Sequence, residues 1–203
     1  MSQLQWAREI LSLAQAGLAY SNNVFDTQRY QRLQELAAEM LAPFTDRPAQ
    51  ELASFLKAEE GYPTPKIDVR AIVFQDNQIL LVRERSDGGW TPPGGWADMG
   101  ESPSEMAVRE TREEAGYEVR AVKLLAVHDR NRHNHPHSIW ETYKIFILCE
   151  LTGGSAQTSI ETSDVGFFGE DELPALSTER ISEQQIRRMF EHLRNPSWPA
   201  DFD

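Results

Sequence analysis

The stretch from Gly94 to Tyr117 constrains this chain more than any other. It reads GGWADMGESPSEMAVRETREEAGY: a glycine-rich loop, a short helix and a glycine stop. Ser102-Pro103-Ser104-Glu105 is a capping-box sequence, with serine at the N-cap, proline at the first helical position and glutamate three residues after the cap. Gly116 suits the left-handed position that closes a helix. Between these ends, Ala107, Thr111 and Ala115 share one face and form a small stripe suited to lying on a sheet.

Glu110, Glu113 and Glu114 form another face of the same helix. At spacings of three and four residues their carboxylates converge, and each like-charged pair destabilises a bare helix by roughly 0.2–0.5 kcal/mol. Such carboxylates also raise one another's pKa unless a cation intervenes. A divalent metal that takes oxygen ligands and bridges carboxylates to phosphates answers both problems. The plainer alternative is a solvated acidic helix, in which Glu105, Arg109 and Glu113 pair along one side. That alternative leaves Glu110 beside Glu114 unexplained, and also the stiff approach Pro92-Pro93-Gly94-Gly95.

The spacing carries a further implication. Gly95, Glu101, Arg109-Glu110, Glu113-Glu114 and Gly116 follow G-x5-E-x7-R-E-U-x-E-E-x-G-U, where U is a bulky apolar residue. This resembles the signature of the Nudix hydrolases, with its box at 95–117. Every fixed residue matches, a coincidence on the order of one in 10^8 at a given start. The U positions hold Thr111 and Tyr117, which pack through a methyl and a ring. The resemblance implies an α/β chain: an α/β/α sandwich around a mixed sheet, with the box as loop-helix-loop. It implies hydrolysis of a nucleoside diphosphate linked to another group, using Mg2+ or, in its place, Mn2+. By position, the Gly94 carbonyl and the carboxylates of Glu110 and Glu114 are the implied metal ligands. Glu113 is implied to support a second ion or the attacking water. Arg109 would orient the glutamates, while Gly95, Glu101 and Gly116 shape and brace the loop. The general base is either a box glutamate or one on a later loop, where Glu161 is the candidate.

Residues 1–62 are expected to form a separate, small all-helical domain. Trp6, Ile10, Leu13 and Gly17 recur at helical spacing, as do Tyr30, Leu33, Leu36 or Ala37, and Met40. Asp26 is a candidate cap for the second helix. A third helix, over residues 48–60, is expected to bury Leu52, Phe55 and Leu56. Three short helices make a thin core, so this domain is expected to pack on something else, as a dimerisation or substrate-selecting module. Tyr62-Pro63-Thr64-Pro65 is a stiff linker, and residues 66–203 form the catalytic domain. Strands are expected over residues 68–74 and 79–83, joined by a tight turn, then over 117–128, 140–151 and around Val165. A C-terminal helix follows from Ser182, and the tail from Asn195 is expected to be irregular.

Between two of those strands, Arg130, Arg132, His133 and His135 form a basic loop that is a candidate for contacting the substrate's second phosphate or terminal group. The histidines alternate, but Pro136 interrupts them and no cysteine is near, which argues against zinc. The helical start and this loop together resemble a bacterial Nudix subgroup associated with ADP-ribose or CDP-choline hydrolysis and with homodimers.

Net charge is −12 with 203 residues, which disfavours wide contact with nucleic acid. A small anionic nucleotide is still a suitable substrate if a metal supplies local positive charge. The single cysteine, Cys149, lies in an apolar run and fits a reducing cytoplasm. No apolar run approaches the length of a membrane span. Two other functions compete with a small-molecule hydrolase. A non-catalytic nucleotide sensor would not need all three box glutamates, and residues 1–60 carry five Lys/Arg against eight Asp/Glu. An RNA-processing hydrolase would need a basic track, for which residues 130–137 are the candidate.

Overall fold

The computed structural model describes residues 2–203. It divides into two compact units. One runs up to Pro65 and also takes in His137–Glu141; the other comprises Lys66–Pro136 and Thr142–Asp203.

The first unit holds helices α1 (Gln3–Tyr20), α2 (Val24–Leu41) and α3 (Ala49–Lys57). Ser2 and Gln5 close a reciprocal capping box on α1. Asn23 caps α2, its side chain accepting from Phe25 N–H at 2.8 Å, while Asp26 lies in the first turn and pairs with Arg29. Helix α3 stops at Lys57, short of the expected Glu60. Glu59 and Glu60 would place negative charge at the negative end of the helix dipole.

The apolar stripes read from the sequence supply part of this unit's core: Ala37, Leu52 and Leu56 are buried as expected, whereas Trp6 and Leu13 are exposed. Leu4, Ala7, Leu11 and Ala14 of α1 pack with Ala37, Ala38 and Leu41 of α2 and with Leu52 and Leu56 of α3. Alanines and glycine let the backbones approach closely; a Cβ on Gly17 would overlap the Tyr30 ring. The large side chains turn outward instead, leaving Trp6 51%, Leu13 61% and Tyr20 72% exposed along one side of α1. Phe55 is also not buried: it lies edge-on to Trp140 at 5.8 Å and beneath Arg47. Ile139 and Trp140 join this helical core, and Arg8 pairs with Glu141 at 3.2 Å while donating to the Ser138 carbonyl. The strand expected from Trp140 therefore begins at Thr142.

The second unit is built on one mixed sheet. In chain order it contains β1 (Lys66–Gln75), β2 (Gln78–Glu84), β3 (Trp90–Thr91), β4 (Gly94–Trp96), α4 (Pro103–Ala115), β5 (Tyr117–Asp129), β6 (Thr142–Gly154), β7 (Thr162–Phe168), α5 (Glu183–Arg194) and β8 (Asp201–Phe202). The β1–β2 hairpin turns on Asp76 and Asn77, with φ of 50° and 59°, the double left-handed turn that suits twisted strands. The order is β3-β2-β1-β6-β5-β8, with β1–β6 and β5–β8 parallel.

One edge of β1 forks. Its start pairs with β4, through Asp68 to Trp96 and Arg70 to Gly94, and its end pairs with β2. Alternate residues of the strands face opposite layers. Val69, Ala71, Val73, Leu80 and Val82 pack beneath Met106, Ala107 and Ala115 of α4. Ile72, Ile79, Leu81 and Phe146 pack beneath Ile186, Met189 and Phe190 of α5. This is the expected helix–sheet–helix sandwich. Thr111 is fully buried and Tyr117 meets Phe167 edge-on at 5.6 Å, so both U positions pack inward.

The tail is irregular as expected from Asn195 to Ala200, and only Asp201–Phe202 forms a strand, but side chains hold it in place. Lys123 donates to the carbonyls of Pro196 and Trp198, Arg188 stacks on Trp198, and Asp201 pairs with Arg188 as β8 joins β5. These partners lie far away in sequence, so local patterning does not reveal them.

Candidate active site

The fork in β1 positions the candidate site. Pro92 and Pro93 carry the chain across the gap between β3 and β4, and Gly94 follows with φ of 134°. A Cβ there would overlap the Val69 carbonyl oxygen, so only glycine lies this close to β1. The Gly94 N–H donates to the Glu114 carboxylate at 2.9 Å. Helix α4 begins at the Ser102–Glu105 capping box, with both reciprocal bonds formed, and ends at Gly116 with φ of 76°. These two stops fix the rotation of the helix and direct Glu114 toward the fork.

Glu114 is buried, and burial pushes its pKa up to about 7 despite the Gly94 N–H and the Arg70 charge. Glu110 is half-buried and is also raised, chiefly by desolvation and against the pull of Arg109. Glu113 is half-exposed. Arg109 lies between carboxylates: it is bidentate to Glu101 (2.8–2.9 Å) and reaches Glu110 at 2.8 Å, Glu113 at 3.0 Å and Asp98 at 3.1 Å. Glu101 thereby ties the loop to the helix. Gly95 has open space where a Cβ would lie.

Among the described residues, no group of three or more His, Cys, Asp or Glu side chains is already gathered as metal ligands. The donor chemistry nevertheless fits a divalent cation. Glu110 and Glu114 offer hard oxygens, and desolvation raises both pKa values, so a cation would relieve their charge. Glu110 would exchange its Arg109 contact for the ion.

Glu161 lies on the loop before β7 with an exposed side chain. Its carbonyl accepts from Arg85 N–H, and the neighbouring Thr162 hydroxyl donates to the Glu114 carbonyl at 2.8 Å. The Glu161 loop is thus fastened to the end of α4. The basic loop behaves differently. Arg130 is buried, held by Glu179 and the Pro136 carbonyl. His133 pairs with Asp203 and stacks on His128, while His135 bonds to the Thr178 carbonyl and Gln185. Arg132 keeps an exposed guanidinium, 3.5 Å from Asp129. Of the two arginines of this loop, Arg130 is therefore spent on fastening it and Arg132 is the exposed one.

Sequence reasoning missed Asp68, Arg70, Glu84 and Lys144, all buried beside the fork. Burial opposes the charge on Asp68, yet Arg70 and Lys144 hold its carboxyl well below the usual range. Burial pushes Lys144 down to about 8. Glu84 is raised by desolvation, against the charges of Arg180 and Arg70, with Glu161 adding to the rise. The available signal was a charged residue at an alternate position inside an apolar strand.

The sequence can now be set beside known proteins. Residues 64–190 match the NUDIX domain family. Residues 2–56 match a family described as a UDP-X-like, N-terminal oligomerisation domain. A Bacillus subtilis (strain 168) protein named "Putative ADP-ribose pyrophosphatase YjhB" is 46% identical over 200 residues, covering 98% of this chain and 96% of its own. A crystal structure of an ADP-ribose pyrophosphatase from Streptococcus suis 89-1591 is 41% identical, with a TM-score of 0.64 over 69% of this chain and 100% of that one. A crystal structure of a UDP-X diphosphatase is 32% identical and covers 100% of both chains, with a TM-score of 0.65. Among the described residues, no helix is long and apolar enough to cross a membrane. With its box glutamates set at the fork of the sheet, and with relatives aligned along nearly its whole length, this chain belongs to the Nudix hydrolase family and is one of its pyrophosphatases.

Proposed function

We propose that this enzyme hydrolyses the diphosphate of a nucleoside diphosphate linked to a further group. ADP-ribose is the first substrate, CDP-choline the second, and Mg2+ the working metal, with Mn2+ able to replace it. The observation that carries the reading is Glu114, a buried carboxylate near neutral pKa held by the Gly94 amide at the fork. The relatives named ADP-ribose pyrophosphatase support the choice of ADP-ribose. The UDP-X diphosphatase supports adding UDP-linked compounds to the candidates.

The Gly94 carbonyl with Glu110 and Glu114 would hold the metal, and Glu113 a second ion or the water. Bound there, a divalent ion neutralises the diphosphate and lowers the pKa of water. Arg109 and Glu101 keep the loop and helix in register. Glu161, fastened beside Glu114, receives the water's proton on its carboxylate. Arg132 meets the anionic end of the substrate, on a loop shaped by Arg130, His133 and His135.

Residues 1–62 act as the contact of a homodimer. The oligomerisation-domain match and the apolar side of α1 bearing Trp6, Leu13 and Tyr20 support this. The lone buried Cys149 supports a reducing, cytoplasmic setting. The deciding experiment measures product release from ADP-ribose, CDP-choline, UDP-linked sugars, NADH, diadenosine polyphosphates and nucleoside triphosphates, with Mg2+ and then Mn2+. Rapid cleavage of one diphosphate, lost in Glu114→Gln, is the expected result. Turnover that survives this substitution would overturn the site assignment. Sedimentation of Leu13→Glu as a monomer, against a dimeric parent, tests the interface.

A further inference from the structure

Two prolines in succession leave the approach to the candidate metal site without amide donors. Pro92 and Pro93 can be held only through their carbonyls. The first amide beyond them, that of Gly94, donates to Glu114. Each carbonyl has a donor on β1, and Pro92 O accepts in addition from the Thr91 hydroxyl at 3.3 Å. The Ala71 N–H donates to Pro93 O at 2.9 Å, and Arg70 Nη1 donates to Pro92 O at 3.2 Å. Arg70 also reaches the Thr91 hydroxyl at 3.4 Å. The guanidinium is buried and fixed by a fork onto Asp68, at 3.0 Å from Nε and 2.8 Å from Nη2. Asp68 is anchored in turn by Lys144 Nζ at 2.6 Å, across the β1–β6 pair.

We infer that the Lys144–Asp68–Arg70 relay is a positioning device for the metal site, fixing through the Pro92 carbonyl the turn that presents Gly94 to Glu114. The inference rests on reading Gly94, Glu110 and Glu114 as metal ligands. Two simpler roles make different predictions. A triad that only joins β1 to β6 affects stability and leaves metal affinity alone. A remote positive charge acts through its sign alone, so Arg70→Lys, which keeps that charge, would leave metal affinity unchanged. The positioning role requires the planar fork of arginine, because a lysine ammonium does not bridge Asp68 and Pro92 with the same geometry.

The test measures Mn2+ affinity of the full chain without substrate, by electron paramagnetic resonance, in Arg70→Lys and Asp68→Asn. Folding is checked by circular dichroism. Arg70→Lys is expected to weaken Mn2+ binding about tenfold, the scale usual for groups that orient metal ligands. Its kcat falls in step while the nucleotide KM stays within about twofold. Asp68→Asn weakens Mn2+ binding by about threefold or more. Affinity that is unchanged or tighter in folded Arg70→Lys overturns the inference. If that variant does not fold, unchanged affinity in Asp68→Asn does so. Glu114→Gln separates the two readings: parental Mn2+ binding that is indifferent to Glu114 removes the ligand assignment itself, whatever Arg70 does.

Discussion

Replacing Glu114 with glutamine should stabilise the metal-free protein while abolishing its chemistry. Burial raises the Glu114 pKa from the ordinary 4.5 of a free carboxyl to about 7. In the folded state without metal, the carboxyl is therefore harder to ionise than in the unfolded chain. The unfolded chain ionises first as pH rises, so stability is fully present below about pH 4.5 and is lost progressively up to about pH 7. Each pKa unit corresponds to about 1.4 kcal/mol, so the rise from 4.5 to about 7 costs on the order of 3 kcal/mol above neutrality. Glutamine cannot ionise, yet its carbonyl can still accept from Gly94. Glu114→Gln should gain about 3 kcal/mol at pH 8 in chelator, or roughly 6–12 °C in Tm. At pH 4.5 the gain should shrink toward zero. Thermal unfolding followed by circular dichroism at both pH values, with and without Mg2+, measures this. Added Mg2+ should raise the Tm of the parent and leave the variant unmoved. A variant that is no more stable than the parent at pH 8, or a gain that does not change with pH, would refute the reasoning.

Three further substitutions test separate parts of the structure. Gly94→Ala places a side chain at φ of 134° against the Val69 carbonyl and should destabilise by about 3 kcal/mol or more, measured by urea unfolding. Glu161→Gln should lower kcat by about 10²–10⁴-fold with little change in Mn2+ affinity if Glu161 is the proton acceptor, and stopped-assay kinetics decide. Leu52→Ala empties a fully buried position of the helical unit and should cost about 2–5 kcal/mol, read as an earlier unfolding step while single-site turnover persists.

The candidate site was legible because its chemistry is local. Capping box, box glutamates and glycine stop lie within one loop and one helix, and their spacing fixes which side chains share a face. The α/β/α sandwich was legible through the resemblance that the box spacing carries, and the β1–β2 hairpin through apolar runs joined at two residues suited to left-handed φ. The helical unit was read less well. Periodicity marked Trp6, Ile10 and Leu13, but the face of α1 that packs is the neighbouring one with Leu4, Ala7, Leu11 and Ala14.

The sequence by itself determined where the helix of the box starts and stops, which carboxylates it carries and which layers the strands separate. These depend on propensities and periods within a few residues. Only the tertiary structure decided that Arg70 and Asp68 lie beneath the Pro92–Gly94 turn, that Arg130 and His135 fasten a loop, and that the tail adds a strand beside β5. Apart from Arg130 with Pro136, those pairings join residues 22 or more positions apart. The free energy that selects them comes from burying charge with a suitable partner, and no local pattern encodes which partner the fold brings near.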